Sequence, residues 1–470
     1  MRIAVVGGGI SGLTAAYRLR RRFGDGATIT VFESGDALGG KLRTVELAGG
    51  RYDVGAEAFL ARRPEAVALI REIGLDQELT HPTRAKSRVR AGGRQVGLPG
   101  GTVMGVPGSA EAVAGVLSDE GTRRVAGETG LPPLSLDAGD VSLGGLLRER
   151  FGNELVDRLV DPLLGGVYAG GADGLGLRAT VPGLAEAIDA GAGSLTAAAA
   201  SQLPSSPSSA PVFGTLKTGL GTLVDRLVEL SKPDVRLGTL VKGLRRRTEG
   251  WTLELVDEVV DVDAVLLAVP APAARRLLED VVPDAAAALS EVEVASMAVV
   301  ALALPPGTEL PDASGVLIGA QERYPDGTPL AAKAFTFSSR KWGHLEGGPV
   351  LVRGSVGRFR EPGALRADDD ELVRLVRRDL AALTGVTAEP IDARVTRWGG
   401  GLPQYGVGHL AVVDRVERAV AAVPGLEITG ATFHGVGIPA CIGAADAAAS
   451  RITSQRRSRV ASAKMESWRA

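Results

Sequence analysis

The chain has 470 residues, of which 45% are hydrophobic and 23% charged, and its formal net charge is −2. These values are typical of a globular protein of two or three domains, and they argue against a nucleic-acid binder, which would carry a strongly basic surface. The single cysteine, Cys441, excludes an internal disulfide and fits a reducing cytoplasm. No apolar run approaches the roughly 18 residues of a membrane span, and no signal peptide is predicted.

The N-terminus predicts a strand, a glycine turn and a helix. The run IAVV is typical of a short buried strand, and ISGLTAAYRLRRRF has the apolar spacing of a helix. Between them, Gly7, Gly9 and Gly12 have the G-x-G-x-x-G spacing. The first glycine permits a tight turn, the second lets the backbone approach a pyrophosphate, and the third lets helix and strand pack closely. This pattern predicts a dinucleotide-binding unit; a glycine-rich turn that binds nothing is the alternative.

A second strand and a second glycine pair follow. TITVFES predicts a strand that ends at Glu33, whose carboxylate can accept hydrogen bonds from the ribose hydroxyls of an adenine dinucleotide. Gly39 and Gly40 then precede Lys41 and Arg43. Backbone amides without side chains, beside two cations, suit a second approach to a pyrophosphate or to a flavin edge.

The middle of the chain lacks a nucleotide motif. VRAGGRQVGLP predicts a hairpin, residues 105–200 are helical and loop-rich, and SQLPSSPSSAP predicts a mobile loop. GLGTLVDRLVELS predicts a helix, and AVLLAVP a buried strand. From about residue 290 to 400, the segments AVVALAL, GVLIG, AAKAFTFSS and VLVRGSVG predict an antiparallel sheet, which the amphipathic helix DDELVRLVRRDLAALTG follows.

The C-terminal region returns to a nucleotide-like pattern. GLEITGATFHGVGIPACIGAADAAASRI predicts a strand, a turn with Gly430, Gly435 and Gly437, and a helix. Two glycine turns at opposite ends of the chain indicate one α/β domain that is assembled from discontinuous segments, with other parts inserted. The basic segment SQRRSRVASAKMESWRA predicts a disordered tail.

The order of these motifs resembles the flavin amine oxidase and desaturase superfamily. More narrowly, DVGAEAFLARRPEAVALIREIGL, VDPLLGGVYAGGADGLGLRATVP, FGTLKTGLGTLVDRL, RKWG and LPQYGVGHLAVVDRVE resemble bacterial protoporphyrinogen/coproporphyrinogen oxidases, in that order, from residue 1 to about 452. Two departures are Glu57-Ala58, where the family often has Asp-Ser, and GAQER after GVLIG, where it usually has Pro-Arg. They bear on substrate contacts and not on the fold.

The resemblance implies a Rossmann-like FAD-binding domain with an inserted α+β substrate domain, which has an antiparallel sheet, and a helical subdomain. We predict the FAD-binding domain at residues 1–75, 212–275 and 396–455, and the substrate domain at 76–105 and 276–395. The helical subdomain is predicted at residues 106–211, and the disordered tail at 456–470.

The resemblance also implies non-covalent FAD, reoxidised by O2 with release of H2O2. The flavin would remove hydride repeatedly from a porphyrinogen until the macrocycle is aromatic, so the protein has only to hold a flat substrate against it and exclude side reactions. Neither a metal site nor a Ser/His/Asp set is predicted. The cofactor-binding residues implied are Gly7, Gly9, Ile10, Ser11, Gly12, Glu33, Ser34, Gly40, Lys41, Val241, Trp398, Gly430, Val436, Gly437 and Ile438.

Three further residues are candidates for contact with the substrate. Arg63 occupies the position of a basic residue beside flavin and substrate in the family, and we predict a catalytic or carboxylate-binding role; a solvated arginine at a helix start is the alternative. Tyr405 and His409 could contact the flavin or the macrocycle, or could instead wedge a glycine-flanked loop. Packing roles are the alternatives for Trp398, His434 and Cys441.

Several functions stay open on the sequence. The resemblance favours oxidation of coproporphyrinogen III in haem biosynthesis, with protoporphyrinogen IX as the alternative substrate. Other flavin amine oxidases and desaturases share both glycine motifs, but an aromatic content of 4% argues against an aromatic amine cage. A non-enzymatic escort protein of the same fold is a further alternative. We expect a cytoplasmic protein that contacts a membrane at most peripherally and hands its product to the next haem-pathway enzyme.

Overall fold

The computed structural model describes residues 1–136, 139–204 and 210–467, with side chains described as far as residue 454. Its strands are β1 (Arg2–Val6), β2 (Thr28–Phe32), β3 (Thr44–Leu47), β4 (Gly50–Asp53), β5 (Phe59–Leu60), β6 (Leu79–Thr80), β7 (Ser87–Ala91), β8 (Arg94–Gly97), β9 (Thr102–Val103), β10 (Val106–Pro107), β11 (Phe213–Leu216), β12 (Asp234–Arg236), β13 (Gly243–Arg246), β14 (Trp251–Glu254), β15 (Val259–Val262), β16 (Ala264–Leu267), β17 (Val294–Leu304), β18 (Gly315–Ile318), β19 (Ala332–Thr336), β20 (Val350–Val356), β21 (Asp392–Pro403) and β22 (Leu426–Ile428).

The helices alternate with these strands at both ends of the chain and cluster in its middle. They are α1 (Ile10–Phe23), α2 (Pro64–Glu72), α3 (Asp119–Gly127), α4 (Leu143–Phe151), α5 (Asn153–Leu155), α6 (Asp161–Tyr168), α7 (Leu177–Thr180), α8 (Pro182–Asp189), α9 (Leu195–Gln202), α10 (Gly221–Ser231), α11 (Ala271–Leu278), α12 (Pro283–Leu289), α13 (Ser338–Lys341), α14 (Asp369–Thr384), α15 (His409–Ala421) and α16 (Ile438–Ser467).

A five-stranded parallel sheet carries the two glycine turns. Its order is β12-β2-β1-β16-β22, and each neighbouring pair is parallel. The apolar run in β1 is buried on both faces, as central strands of a parallel sheet require. Because these strands come from the beginning, the middle and the end of the chain, the predicted assembly from discontinuous segments is confirmed.

A seven-stranded sheet forms the second large layer. Its order is β21-β17-β20-β19-β18-β7-β8, and α14 packs on one face of it through Leu372, Val376 and Leu380. The predicted hairpin is present as β7 and β8. The sheet is mixed and not purely antiparallel as we predicted, because β7 pairs with β18 in parallel. The long connection between them, which includes the helical region, permits this parallel alignment.

Two other predictions differ from the structure. The boundary predicted at residue 396 falls inside β21, because the whole strand pairs with β17 in the large sheet. The tail predicted as disordered from residue 456 continues α16 as far as Ser467, which fits a segment rich in Ala, Arg and Lys. The predicted mobile loop includes residues 205–209, and the tail ends in 468–470; both segments lie outside the described residues. None of the described helices combines the length and apolar composition that crossing a membrane requires.

Helices α3 to α9 share one apolar core. A buried ion pair lies within this helical region. Glu128 is fully buried and lies 2.9 Å from the guanidinium of Arg150. Its carboxylate also accepts hydrogen bonds from the N–H groups of Leu195 and Thr196 in the first turn of α9, at 2.9 and 3.1 Å. Burial favours the neutral acid, but these N–H groups and Arg150 hold the pKa of Glu128 below its usual value.

We expect Glu128→Ala to lower the free energy of unfolding by about 3–5 kcal/mol, because it leaves Arg150 buried and unpaired. Urea unfolding at pH 7 would measure this loss, with Glu120→Ala on the exposed side of α3 as the control, for which we expect a change within about 0.5 kcal/mol. The carboxylate stabilises the wild type fully above its unfolded pKa of about 4.3, so the difference between wild type and variant should shrink as the pH falls through the lower folded-state pKa. Equal losses in the two variants would contradict the prediction.

Candidate functional site

The first glycine turn joins β1 to α1. Gly7 has φ +104°, and a Cβ there would lie 2.5 Å from the carbonyl oxygen of Ala268. A Cβ on Gly12 would overlap the carbonyl oxygen of Gly7. Gly9 differs, because its nearest neighbour would be the Cα of Gly40 at 4.0 Å. Two glycines therefore permit close packing of the backbone, and Gly9 leaves open space above the turn for a ligand.

The N-terminus of α1 faces this open space without a capping side chain. Gly9 is the N-cap, its residue type offers no side-chain acceptor, and no acidic residue lies in the first turn. Ile10 and Ser11 are 8% and 6% exposed, so a ligand would meet them mainly through the main chain. Free N–H groups and the positive end of the helix dipole favour an anion such as a pyrophosphate.

Glu33 lies beside the same turn, directly after β2. Its carboxylate accepts hydrogen bonds from the N–H groups of Gly8 at 2.8 Å and Gly35 at 2.7 Å. Ser34 is exposed, and its hydroxyl donates to Oε1 of Glu33 at 3.5 Å. A carboxylate has about four lone-pair sites, so three donors leave one for a hydrogen bond from a ribose hydroxyl.

The second glycine pair packs directly on the first turn. Gly39 donates its N–H to the carbonyl oxygen of Gly8 at 2.8 Å, and Gly9 and Gly39 form a parallel bridge. A Cβ on Gly40 would lie 3.2 Å from the Cα of Gly9. The two motifs that the sequence assigns to cofactor binding are therefore in direct contact with each other.

Lys41 and Trp398 both lie next to the segment that follows β4. The indole Nε1 of Trp398 donates to the carbonyl oxygen of Val54 at 3.2 Å. A Cβ on Gly55 would overlap the carbonyl oxygen of Lys41 and lie 3.1 Å from Cζ2 of Trp398. Burial lowers the pKa of Lys41. Gly55 thus lies between the segment after the second glycine pair and a tryptophan from the large sheet.

The C-terminal glycine turn lies between β22 and α16. Gly430 has φ +135°, and a Cβ there would meet nothing within 4 Å. Gly437 is exposed, Val436 is half-buried, and Ile438 is 6% exposed at the start of α16. The turn therefore presents mostly main-chain surface. The side chain of His434, in the same turn, pairs with a residue of α15, because its Nε2 lies 2.7 Å from Oε1 of Glu417.

Tyr405 and His409 brace this turn, which supports the alternative that they wedge the loop, and their contact with the substrate stays a prediction. The Tyr405 hydroxyl donates to the carbonyl oxygen of Ala431 at 2.6 Å and accepts from the N–H of Gly435 at 2.9 Å. His409 Nε2 lies 2.8 Å from the carbonyl oxygen of Thr432. The two rings stack with centroids 4.0 Å apart and are 2% and 3% exposed. Burial lowers the pKa of His409 to about 4. Their polar atoms are therefore occupied by the turn.

Val241 lies in a loop next to Glu33. Thr239 donates its N–H to the carbonyl oxygen of Glu33 at 2.8 Å, and Lys242 donates to Glu254 at 2.7 Å. In the described ranges, neither the N–H nor the C=O of Val241 forms a main-chain hydrogen bond. The loop is thus close to the expected ribose position, and contact with the adenine stays a prediction.

Arg63 is exposed at the N-cap of α2. Its Nη2 lies 2.6 Å from Oε1 of Glu65, on the same helix. Among the residues that the structure describes, no hydrogen bond or ion pair joins Arg63 to Lys41 or Trp398. Its role toward flavin or substrate therefore stays a prediction.

The large sheet carries a half-buried row of side chains. Leu317 of β18, Ala334 of β19 and Ser355 of β20 are direct neighbours across the sheet, and all three are half-buried. Met297, which pairs with Trp398, is half-buried as well. Leu317 packs against the core of the helical region, so α6 covers part of this row.

Sequence reasoning missed a charge cluster between the segment after β4 and the large sheet. Glu57 Oε1 lies 2.6 Å from Lys341 Nζ, and Oε2 lies 3.5 Å from Arg353 Nη1. Arg353 also donates to the carbonyl oxygens of Asp53 at 3.2 Å and Gly55 at 2.6 Å. Burial favours the neutral acid, but the two cations hold the pKa of Glu57 at about 2. The only signals in the sequence were the Glu57-Ala58 departure and the RKWG motif.

Comparisons with known proteins agree with this geometry. The family model of flavin containing amine oxidoreductases matches residues 10–453. The coproporphyrinogen III oxidase of Mycobacterium leprae is 47% identical over 445 residues, which cover 94% of this chain and 96% of that protein. The enzyme of the same name from Bacillus subtilis is 32% identical, with 95% and 97% covered.

A solved structure from Exiguobacterium sp. 255-15, provisionally named a protoporphyrinogen oxidase, is 32% identical. It superposes with a TM-score of 0.84 and covers 96% of this chain and 98% of its own. The two glycine turns and the extent of these matches lead to one assignment. The chain belongs to the family of flavin containing amine oxidoreductases.

Proposed function

We propose that this protein oxidises coproporphyrinogen III to coproporphyrin III with FAD as cofactor and O2 as acceptor. The observation that carries the proposal is the 47% identity to a coproporphyrinogen III oxidase over nearly the full length of both chains. The contact between the two N-terminal glycine motifs and the uncapped N-terminus of α1 support the cofactor, and the half-buried row of the large sheet is the surface that we assign to the macrocycle. In each dehydrogenation a carbon–hydrogen bond breaks, a hydride and a proton leave the substrate, and one O2 becomes H2O2.

Bound FAD supplies the hydride acceptor. The chain's own groups would bind and orient it: the N–H groups at the start of α1 would hold the pyrophosphate, and Glu33 would accept hydrogen bonds from the ribose. Gly40, Gly430 and Gly437 give the cofactor access to the main chain. Trp398 and the half-buried row on the large sheet hold the substrate flat and limit water at the reacting carbon.

Protoporphyrinogen IX is the second candidate substrate, favoured by the provisional name of the Exiguobacterium structure. The two substrates differ in charge, because coproporphyrinogen III carries four propionates and protoporphyrinogen IX carries two propionates and two vinyl groups. Arg63 is the exposed cation that we assign to a propionate. The exposed ion pair with Glu65 leaves it free to exchange partners, since such pairs contribute little stability.

We also infer a cytoplasmic location. Cys441 is the single cysteine of the sequence and is buried, so no disulfide can form within the chain. The product would pass to the next enzyme of haem biosynthesis. Peripheral contact of the basic C-terminal segment with a membrane is the alternative location.

Gly9→Val should abolish retention of FAD. The nearest atom to a Cβ at Gly9 is 4.0 Å away, so the chain can fold around the side chain, which would then occupy the space of the pyrophosphate. The absorbance of bound flavin and the circular dichroism spectrum of the purified variant measure the two effects. Gly26→Val, at an exposed position with nothing within 4 Å, is the control and should stay yellow. A folded Gly9→Val protein with full flavin content would refute the assignment of the space above Gly9 to the pyrophosphate.

The wild type should oxidise coproporphyrinogen III faster than protoporphyrinogen IX at equal concentration, measured by the fluorescence of the product porphyrin. Added salt should slow the reaction of coproporphyrinogen III more, because it screens more charge–charge contacts. Equal rates that salt does not change would mean that the propionates do not set the specificity. The choice of coproporphyrinogen III would then have to be withdrawn.

Arg63→Ala should lower kcat/KM for coproporphyrinogen III about tenfold or more, equivalent to ~1.4 kcal/mol of transition-state stabilisation. The neighbouring exposed residue provides the control, Arg62→Ala, for which we expect kcat/KM close to that of the wild type. Flavin content should be normal in both variants. If the two variants react alike, Arg63 is a solvated arginine and has no part in the reaction.

A further inference from the structure

Lys333 is a buried cation without a partner. It lies in β19, is 4% exposed, and its ammonium has no hydrogen-bond partner in the part of the chain that the structure describes. An unpaired buried charge costs several kcal/mol, so such a residue either is neutralised or receives an anion. Burial, and secondarily the nearby Arg358, lowers the pKa of Lys333 to about 7.

Arg358 makes the surroundings of Lys333 more positive. Its Nη2 donates to the carbonyl oxygen of Ile318 at 2.9 Å, which fixes it at the end of β18. Burial, the largest effect, lowers the pKa of Arg358, and the carboxylate of Glu361 is the largest of the charges that oppose this. Arg358 is in turn the charged group that acts on Lys333. Among the described residues, no carboxylate forms a hydrogen bond with the Lys333 ammonium.

The position of Lys333 in the sheet places it beside the half-buried row. A bulge places it between Ala332, which packs in the core under α14, and Ala334, which belongs to the half-buried row with Leu317 and Ser355. Helix α6 covers this part of β18 and β19, and a Cβ on its Gly166 would lie 3.8 Å from Leu317. Lys333 is thus next in the chain to the half-buried row, in the part of the sheet that α6 contacts.

We propose that Lys333, with Arg358, receives a carboxylate of the substrate and so selects the more highly carboxylated porphyrinogen. The inference rests on the proposed function and adds its specificity-determining residue. The carboxylate would come from the edge of the macrocycle where coproporphyrinogen III has propionates and protoporphyrinogen IX has vinyl groups. A vinyl group there leaves the buried ammonium unpaired, and a site built for a polar group rejects an analogue that lacks it.

Lys333→Met tests this assignment, because methionine keeps the approximate volume and removes the charge. We expect KM for coproporphyrinogen III to rise at least tenfold, KM for protoporphyrinogen IX to change less than threefold, and flavin content to be unchanged. The thermal midpoint should stay the same or rise, because an uncompensated buried amine has been removed. Lys333→Arg should retain most of the preference, and Lys86→Met, at an exposed position next to β7, should behave as the wild type.

Three results would count against the assignment in different ways. If the wild type is active and Lys333→Met keeps its KM for coproporphyrinogen III, the inference is overturned and the proposed function stands. If both KM values rise together and the thermal midpoint falls, Lys333 is a structural residue and the inference is likewise overturned. If the wild type oxidises neither porphyrinogen, the proposed function itself fails and the inference falls with it.

Discussion

The cluster of Glu57, Lys341 and Arg353 joins the large sheet to the segment that follows β4. Arg353 belongs to β20 of the large sheet, and it donates to the carbonyl oxygens of Asp53 and Gly55 in that segment. Lys341, the last residue of α13, pairs with the same Glu57 carboxylate. Gly55 lies next to both Lys41 and Trp398, so this segment also fixes how the second glycine motif approaches the large sheet.

A buried ionic cluster is an expensive way to join two layers, since an apolar contact of the same volume is often as stable. Its advantage is that hydrogen bonds are directional. Hydrogen bonds to two particular carbonyl oxygens allow one placement of the segment after β4 against the large sheet, whereas apolar side chains tolerate small shifts. Catalysis by hydride transfer depends strongly on such placement, because a misplacement of about 1 Å can cost two orders of magnitude in rate. Tyr405 and His409 fix the position of the C-terminal turn in the same way, through hydrogen bonds to main-chain atoms. These atoms belong to Ala431, Thr432 and Gly435.

Local patterns predicted much of this molecule. The strand, turn and helix at residues 2–23 follow from apolar spacing and from glycines at a fixed separation, and the hairpin of β7 and β8 follows from Gly92 and Gly93. The composition of α14 predicts both its bounds and its buried face. These features depend on residues within a few positions of one another, so they can be predicted from the sequence. The two glycine motifs at residues 7–12 and 39–40 are also near in sequence, and their mutual contact is a short extension of the same logic.

The sequence by itself therefore determined the fold class and the places of the glycine turns. Only the tertiary structure decided which side chains meet between the large sheet and the segment after β4. Glu57 and Lys341 are far apart in the chain, and the alternation in AAKAFTF gives no sign that Lys333 is buried, because a lysine in a strand is ordinarily solvated. The hydrogen bonds of Tyr405 and His409 to the C-terminal turn were hidden for the same reason. The role of a polar side chain depends on which distant main-chain groups lack a partner, and long-range packing alone fixes that.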